Sequence, residues 1–367
     1  MSRKNSLSRL PRKFRGLVSA SPSPQLAENN FLRLLDAGTL TALSKIPLAE
    51  LRPLFRLLGA SAFLSDVLMR QGSEWPDLFH QQLKIDHKPV VEHLDELRAK
   101  IHASMSFDEF CAPLRQHKQR EYLRIGARDL IPAVTMEETV QELSALAEAA
   151  LDTAYRFCRA EVEKDYGGLH LTGTEKPNRF VILGMGKLGG NELNFSSDID
   201  LIFLYESDEG ESAGGRKGKT DPRSFFAEVG KKIIRAMGEV TEDGFVFRID
   251  LRLRPMGNSG PLVQSVNSSM LYYESWGQCW ERAALIKARP VAGALELGND
   301  FIKEIQPFIF RRYLDYTTVD ELRHMKLRIE HELLSAGDKE RNLKLGYGGI
   351  REIEFFTQAM QLVNGGY

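Results

Sequence analysis

Apolar residues in the first part of the chain recur at intervals of three and four positions. This spacing extends from Leu26 to about Gly167 and is typical of amphipathic helices. The longest predicted helix begins near Thr135, where Glu138, three residues later, can complete a capping box. Prolines divide the stretch before it into shorter helices. We therefore predict a helical domain over residues 26–170.

The pattern changes to that of strands in the middle of the chain. Residues 180–183 and 199–205 form short apolar runs, the second interrupted by Asp200, which are typical of buried strands. Residues 225–240 have helical spacing, and residues 244–253 alternate between apolar and polar positions as a half-buried strand does. These elements predict a small mixed sheet in a core domain over residues 171–290.

Helical spacing returns after the sheet, and we predict a C-terminal helical region over residues 291–367. The helical segments predicted beyond the last of these strands are residues 270–278, 280–287, 301–308, 319–333 and 353–362. The whole pattern therefore predicts an α+β fold, in which a small mixed sheet is flanked by N-terminal and C-terminal helical regions.

The first residues of the chain differ from the rest in composition. The first 27 residues contain six basic residues and no acidic one, and a run of serine and proline ends at Pro24. This composition fits either an organellar transit peptide or a solvated tail. Because no clear amphipathic period is present, we predict a disordered basic tail over residues 1–25.

Composition and charge exclude several classes of partner. The chain is 43% hydrophobic and 27% charged, and 49 Lys and Arg nearly balance 50 Asp and Glu. It therefore has no global field to attract nucleic acid or an anionic membrane, and no apolar run approaches the roughly 20 residues of a membrane helix. Cys111, Cys158 and Cys279 are scattered, as buried thiols in a reducing compartment are. We predict a cytoplasmic protein without nucleic-acid or membrane partners.

Two aspartates open the second predicted strand. Asp198 and Asp200 are two positions apart, so on a strand they point to the same face, roughly 6–7 Å apart along the backbone. Two carboxylates this close repel each other, and the repulsion grows where water is excluded. A divalent cation removes that repulsion, and Mg²⁺ prefers carboxylates together with phosphate oxygens. The pair therefore predicts a metal site that binds a nucleotide.

A glycine-rich turn precedes the aspartate pair. Glycine backbone can approach phosphate groups closely, and the glycines we assign to phosphate binding are Gly184, Gly186, Gly189 and Gly190. Lys187 can reach a phosphate oxygen or stay a solvated surface lysine. Ser197 can donate a hydrogen bond from the position before Asp198, although serines here also suit a turn cap.

Two common phosphate-binding motifs fit this turn poorly. Gly184 to Gly189 matches G-x-G-x-x-G, but a dinucleotide-binding fold needs a sustained helix next and an acidic residue at the end of the following strand. Here the acidic pair begins that strand. The phosphate-loop motif fails because Leu188, not Ser or Thr, follows Lys187.

Asp250 is a third candidate carboxylate, on the polar side of the alternating strand. Its neighbours on that side are Arg248, Arg252 and Arg254. The cluster is either a structural ion-pair network or the third ligand of a two-metal site, in which Arg252 and Arg254 neutralise phosphate charge. The order of turn, Asp-x-Asp strand, helix and Asp-bearing strand favours the metal site.

This order of elements resembles the polymerase-β-like nucleotidyltransferase superfamily. More specifically, the chain resembles the amino-terminal half of the family of bifunctional glutamine synthetase adenylyltransferase/adenylyl-removing enzymes, over nearly everything after about Leu26. The segments that carry the resemblance are residues 58–68, 124–130, 184–205, 248–255, 259–263, 280–290 and 345–355. The resemblance implies a polymerase-β-like sheet and, because family members are more than twice as long, a truncated C-terminal region.

The resemblance also implies an activity. The amino-terminal half of these enzymes uses phosphate to cleave AMP from a modified tyrosine of glutamine synthetase, which yields ADP, and the other half adds AMP from ATP. Glu352 stands where the transferring half tends to carry Asp, which implies the adenylyl-removing half. The implied cofactor is Mg²⁺ or Mn²⁺ on Asp198, Asp200 and Asp250, and the implied nucleotide is ADP or ATP.

Adenylylated glutamine synthetase is the protein partner that the resemblance implies, with the PII signalling protein as a further one. Three alternatives stay open: transfer of AMP from ATP, a nucleotidyltransferase for RNA or a small molecule, and a non-catalytic docking module. A family motif containing Glu281, Arg282 and Lys287 is either part of the site or helix packing. For Arg351 to Glu354 we expect a helix start.

Overall fold

The computed structural model describes residues 12–36, 43, 46–72, 75, 79, 87–130, 134–310, 342–344, 346 and 348–365. The chain divides into two compact units. The first consists of Met1–Ala150, Glu192–Phe195 and Val240–Val246. The second consists of Leu151–Asn191, Ser196–Glu239 and Phe247–Tyr367. The second unit therefore contains both the sheet and the C-terminal helices, which the sequence assigned to separate regions.

The first unit is helical where it is described. Its helices are α1 (Arg12–Ser19), α2 (Pro24–Asp36), α3 (Leu48–Ala60), α4 (Ala62–Arg70), α5 (Val90–Arg98), α6 (Phe107–Asp129) and the first half of α7 (Met136–Tyr166). The capping box predicted for α7 is confirmed: Thr135 Oγ1 accepts from the amide of Glu138 at 3.2 Å, and the Thr135 amide donates to the Glu138 carboxylate at 3.1 Å.

The disordered tail predicted for residues 1–25 is wrong where those residues are described. Helix α1 occupies much of that range, and Phe14 and Val18, four residues apart, are buried on one of its faces. The Phe14 ring lies 5.0 Å from that of Phe31, measured between centroids. Apolar residues one helical turn apart give even a basic segment a face to bury. Residues 1–11 lie outside the described part of the chain.

Charged side chains fill part of the interior of the first unit. The buried carboxylate of Glu121 accepts from Lys88 Nζ at 2.8 Å and from Arg124 Nε at 2.7 Å. Arg124 also pairs with Glu142 at 2.6 Å. Beside this network, the ring nitrogens of the buried residues His93 and His117 lie 3.2 Å apart. The network balances its charges internally, because each buried charge has an opposite partner.

A mixed sheet forms the centre of the second unit. Its strands are β1 (Phe180–Gly184), β2 (Ile199–Tyr205), β3 (Ile249–Asp250), β4 (Gln264–Ser265) and β5 (Arg289–Gly293). The order is β3-β2-β1-β5, and β4 also pairs with β2. Strand β1 is antiparallel to β2 and β5, whereas β3 and β4 run parallel to β2. The predicted α+β fold with a mixed sheet flanked by helices is confirmed.

The third strand is much shorter than the sequence predicts. Apolar and polar residues alternate over positions 244–253, yet β3 contains only Ile249 and Asp250. Val246 and Phe247 are both buried although they are adjacent, which a half-buried strand does not allow. After β3, the Asp250 carboxylate accepts from the amide of Arg252 at 2.8 Å, and this local bond turns the chain away from the sheet.

The helices of the second unit surround this sheet. After the last half of α7 they are α8 (Gly186–Gly189), α9 (Pro222–Gly238), α10 (Val266–Trp276), α11 (Cys279–Leu285), α12 (Leu295–Ile309) and α13 (Ile350–Asn364). The predicted helices at residues 225–240, 270–278, 280–287, 301–308 and 353–362 are confirmed with shifted ends. The helix predicted for residues 319–333 lies outside the described residues. No helix in the described ranges is long and apolar enough to cross a membrane.

Candidate active site

The sheet brings the three predicted aspartates together at one edge. Strands β2 and β3 pair in parallel with Asp200 opposite Asp250, and Asp198 lies one residue before β2 begins. Asp198 is exposed and Asp200 is half-buried. Burial, then the charge of Asp250, then that of Asp198 raise the pKa of Asp200 to about 6. The three carboxylates are therefore close enough for their charges to interact.

Two arginines neutralise the outer carboxylates. Asp198 Oδ1 accepts from Arg248 Nε at 2.5 Å, and Asp250 Oδ2 accepts from Arg252 at 2.5 Å. The hydrogen bond from Arg252 lowers the pKa of Asp250. The described side chains form no ion pair with Asp200, which lies between these two pairs. The ion pair considered for Asp250 thus exists, while its role as a metal ligand stays a prediction.

The glycine turn lies directly against Asp200. The amide of Met185 donates to the carbonyl of Asp200 at 2.8 Å, so the turn and β2 are held together. Gly186 has a φ of +52°, and a Cβ there would lie 2.8 Å from Asp200 Oδ2. A Cβ at Gly189 would collide with the carbonyl of Lys287. Both positions require glycine, since at each a side chain would meet atoms already present.

The other residues assigned to phosphate binding line the same turn or its approach. Gly184 is buried at the end of β1, and Gly190 is exposed just after α8. Lys187 is half-buried on α8, and Ser197 is half-buried next to Asp198. Helix α8 has four residues, so the sustained helix of a dinucleotide-binding fold does not follow β1. Phosphate binding by these residues stays a prediction.

Arg254 does not share the exposed position of Arg252. Its guanidinium donates to the carbonyls of Leu251 at 2.8 Å, Pro261 at 3.1 Å and Gly260 at 3.1 Å. These bonds hold the loop that follows β3. A phosphate contact by Arg254 would compete with them, so the structure gives this arginine a loop-stabilising position rather than a free one.

The family motif on α11 consists mainly of packing residues. Glu281 and Arg282 are buried; Glu281 accepts from Tyr272 Oη at 3.0 Å, and Arg282 Nε donates to the carbonyl of Ile309 at 3.1 Å. Lys287 differs, because its carbonyl lies at the glycine turn and its Nζ lies 3.9 Å from Glu354. Of the three residues, Lys287 therefore lies nearest the site.

Sequence reasoning missed one cation near the carboxylates. Lys344 is among the groups whose charge lowers the pKa of Asp200, against the effects of burial and of the neighbouring aspartates. It lies far along the chain from the aspartates, beyond a stretch outside the described residues. No spacing rule connects positions so distant, and only its place in the fold identifies it.

Comparison with known proteins places the chain in a family. The family model of glutamate-ammonia ligase adenylyltransferase matches residues 51–304. The chain belongs to this family. The family model of PII-uridylyltransferase matches residues 304–366. The resemblance stated from the sequence motifs is thereby confirmed.

Three relatives of the chain are named bifunctional glutamine synthetase adenylyltransferase/adenylyl-removing enzyme. The one from Pseudomonas aeruginosa is 40% identical over 351 residues, covering 95% of this chain and 35% of the relative. That from Pseudomonas putida is 45% identical over 271 residues, covering 74% and 27%. That from Thioalkalivibrio sulfidiphilus is 40% identical over 351 residues, covering 94% and 35%. The chain thus spans about a third of the length of the curated relatives it matches.

Proposed function

We propose that this chain carries the adenylyl-removing activity of its family: the metal-dependent phosphorolysis of the AMP–tyrosine bond of glutamine synthetase, giving ADP and the unmodified enzyme. The observation that supports it most is the pairing of Asp200 with Asp250 on parallel strands, with Asp198 beside them. Glu352, which stands where the transferring half tends to carry Asp, supports the removing direction.

The carboxylate cluster fits a hard divalent cation. Its donor atoms are carboxylate oxygens, which Mg²⁺ and Mn²⁺ prefer. Burial, and then the charges of Asp250 and Asp198, raise the pKa of Asp200 to about 6, so a cation beside this carboxylate would be favoured. Asp198, Asp200 and Asp250 would hold the metal. When bound, it would neutralise the carboxylates and polarise the phosphoryl oxygens of the AMP group.

The proposed reaction exchanges one phosphorus–oxygen bond for another. An oxygen of inorganic phosphate bonds to the AMP phosphorus, the bond to the tyrosyl oxygen breaks, and that oxygen takes up a proton. Phosphate is already an anion near neutral pH, so it needs orientation and screening more than deprotonation. A tyrosine hydroxyl has a pKa near 10 in water, which limits the acid assistance that its departure needs. Lys187, half-buried on α8, and Arg252, exposed beside Asp250, are the residues that we expect to screen these oxygens.

The test combines the purified chain with adenylylated glutamine synthetase, Mg²⁺ and phosphate, and measures the nucleotide released. We expect ADP, and only when both metal and phosphate are present. Release of AMP would instead indicate hydrolysis. Incorporation of AMP from ATP into unmodified glutamine synthetase, without release, would indicate the transferring direction.

Asp200→Asn tests the site itself. The variant keeps the shape of the side chain but removes the central charge of the cluster, so we expect ADP release to fall at least about a hundredfold. Asp300→Asn, at an exposed position on α12, is the matched control and should keep the wild-type rate. Full activity in Asp200→Asn would refute the metal assignment.

A further inference from the structure

The turn before α13 is held in a defined position at the start of that helix. The amide of Ile350 donates to the carbonyl of Leu343 at 3.0 Å, and the amide of Arg351 donates to the carbonyl of Lys344 at 3.1 Å. The amide of Lys344 donates to Asn342 Oδ1 at 3.0 Å. The backbone of Lys344 is thus fixed to the first turn of α13.

Helix α13 packs against the apolar cluster that also contains Met185, the residue just before α8. Leu362 is fully buried in this cluster, and Phe355 packs against it. One turn into α13, Glu354 lies 3.9 Å from Lys287 Nζ. The carbonyl of Lys287 in turn lies against Gly189. These contacts bring the start of α13, and Lys344 with it, to the side of the site that the glycines form.

Lys344 is exposed on this side of the site, and its charge acts on Asp200. The described residues nevertheless form no ion pair with Lys344, whereas Asp198 and Asp250 each have their own arginine. A cation beside an anionic cluster, with no partner in it, can bind another anion.

We propose that Lys344 binds phosphate oxygens at the Asp198–Asp200–Asp250 site and so positions the phosphate group for reaction. The inference rests on the proposed function, since it names a residue by which that same site holds its anionic substrate. The anion is either inorganic phosphate or the phosphate groups of the nucleotide. Both present the same oxygens, and the experiment below separates them.

A positive charge at this position has opposite effects on two ligands. It repels a divalent cation on the aspartates and attracts a phosphate beside them. Lys344→Ala should therefore bind Mn²⁺ as tightly as the wild type or up to a few-fold more tightly. The same variant should bind phosphate about tenfold to a hundredfold more weakly, because it loses a charge-assisted hydrogen bond. If Lys344 had only a structural role, its substitution would weaken the binding of both ligands together.

The experiment measures Mn²⁺ binding by water-proton relaxation, and then the binding of inorganic phosphate and of ADP to the Mn²⁺-loaded chain by calorimetry. Lys344→Arg keeps the charge and should stay within about threefold of the wild type. Lys303→Ala, at an exposed position on α12, should bind all three ligands as the wild type does. Weaker binding of phosphate alone assigns Lys344 to that substrate, and weaker binding of ADP alone assigns it to the nucleotide.

Two outcomes overturn the inference: unchanged anion binding in Lys344→Ala, or a parallel loss of Mn²⁺ and anion binding. These measurements need no turnover, so they separate the inference from the proposed function. If the wild type binds Mn²⁺ and phosphate but releases no ADP from adenylylated glutamine synthetase, the proposed reaction fails while the assignment of Lys344 is still decided by binding.

Discussion

Asp200 differs from the other two aspartates in what surrounds its carboxylate. Asp198 and Asp250 each have an arginine partner, while Asp200 is half-buried between them. The resulting pKa of about 6 means that a proton and a metal ion compete for Asp200 over a pH range close to neutrality. The chemistry of the site should therefore depend on pH through this residue.

We expect the affinity for Mn²⁺ to fall as pH falls through 6. With the pKa of Asp200 at about 6, lowering the pH from 7 to 5 protonates most of the carboxylate and should weaken Mn²⁺ binding about tenfold. Above pH 7 the affinity should level off. Water-proton relaxation across this range measures it, and Asp200→Asn should lose both the affinity and the step near pH 6. Constant affinity between pH 5 and 7 would contradict the environment assigned to Asp200.

At the scale of single residues, the sequence predicts site residues that are close together in the chain better than site residues that only folding brings together. The two-residue spacing of Asp198 and Asp200 already places them on one face, and the polar face of the next strand points to Asp250. The sequence does not distinguish Arg252, which is exposed and pairs with Asp250, from Arg254, whose guanidinium donates to carbonyls of a loop that turns back. Lys344 has no local signal at all.

The element that shapes the site is the short helix α8 with its glycines. At Gly186, the φ of +52° and the nearness of Asp200 Oδ2 both exclude a side chain. Strands β1 and β2 were predictable because each is a short, largely buried run of mainly apolar residues. Strand β3 was not, because the Asp250 carboxylate accepts from the amide of Arg252 and the strand ends after two residues.

Gly186→Ala should damage the site more than it damages the fold. A Cβ 2.8 Å from Asp200 Oδ2 must displace that carboxylate, so we expect Mn²⁺ binding and ADP release to fall at least about tenfold. The left-handed backbone alone costs about 1–2 kcal/mol of stability. Gly173→Ala is the matched control, since its φ is +72° and its Cβ would meet nothing within 4 Å. Equal activity in the two variants would show that glycine is needed at position 186 only for its backbone conformation.

At the scale of the whole molecule, the two compact units differ in what fills their interiors. The second is built around an apolar sheet, and the described part of the first encloses the Lys88, Glu121 and Arg124 network beside His93 and His117. The near-neutral composition does not show this difference, because a balanced count of charges does not say which of them are buried. Helix α1 was missed for a related reason: its basic composition concealed two apolar residues on one face.

The buried histidines should make the first unit sensitive to mild acid. Burial lowers the pKa of His93 from 6.5 to about 4, and Glu121, His117, Lys88 and Arg124 are the charged or titratable groups that act on it. Between these two values the unfolded chain binds a proton that the folded chain does not. Stability therefore rises with pH across this window and is lost as pH falls from about 6.5 towards 4. Burial also lowers the pKa of His117.

The difference between the ordinary and the lowered pKa of His93 corresponds to at most roughly 3 kcal/mol of unfolding free energy between pH 7 and 4. Urea unfolding at pH 7 and pH 5, followed by the fluorescence of the buried Trp75 with Trp276 and Trp280 changed to Phe, measures the change in the first unit. Acidification should raise the unfolding equilibrium constant of His93→Gln less than that of the wild type, by a factor of ten or more. His102→Gln, at an exposed position, should retain the wild-type loss. If His93→Gln and the wild type lose the same free energy, His93 does not stay neutral in the folded unit and another group causes the acid sensitivity.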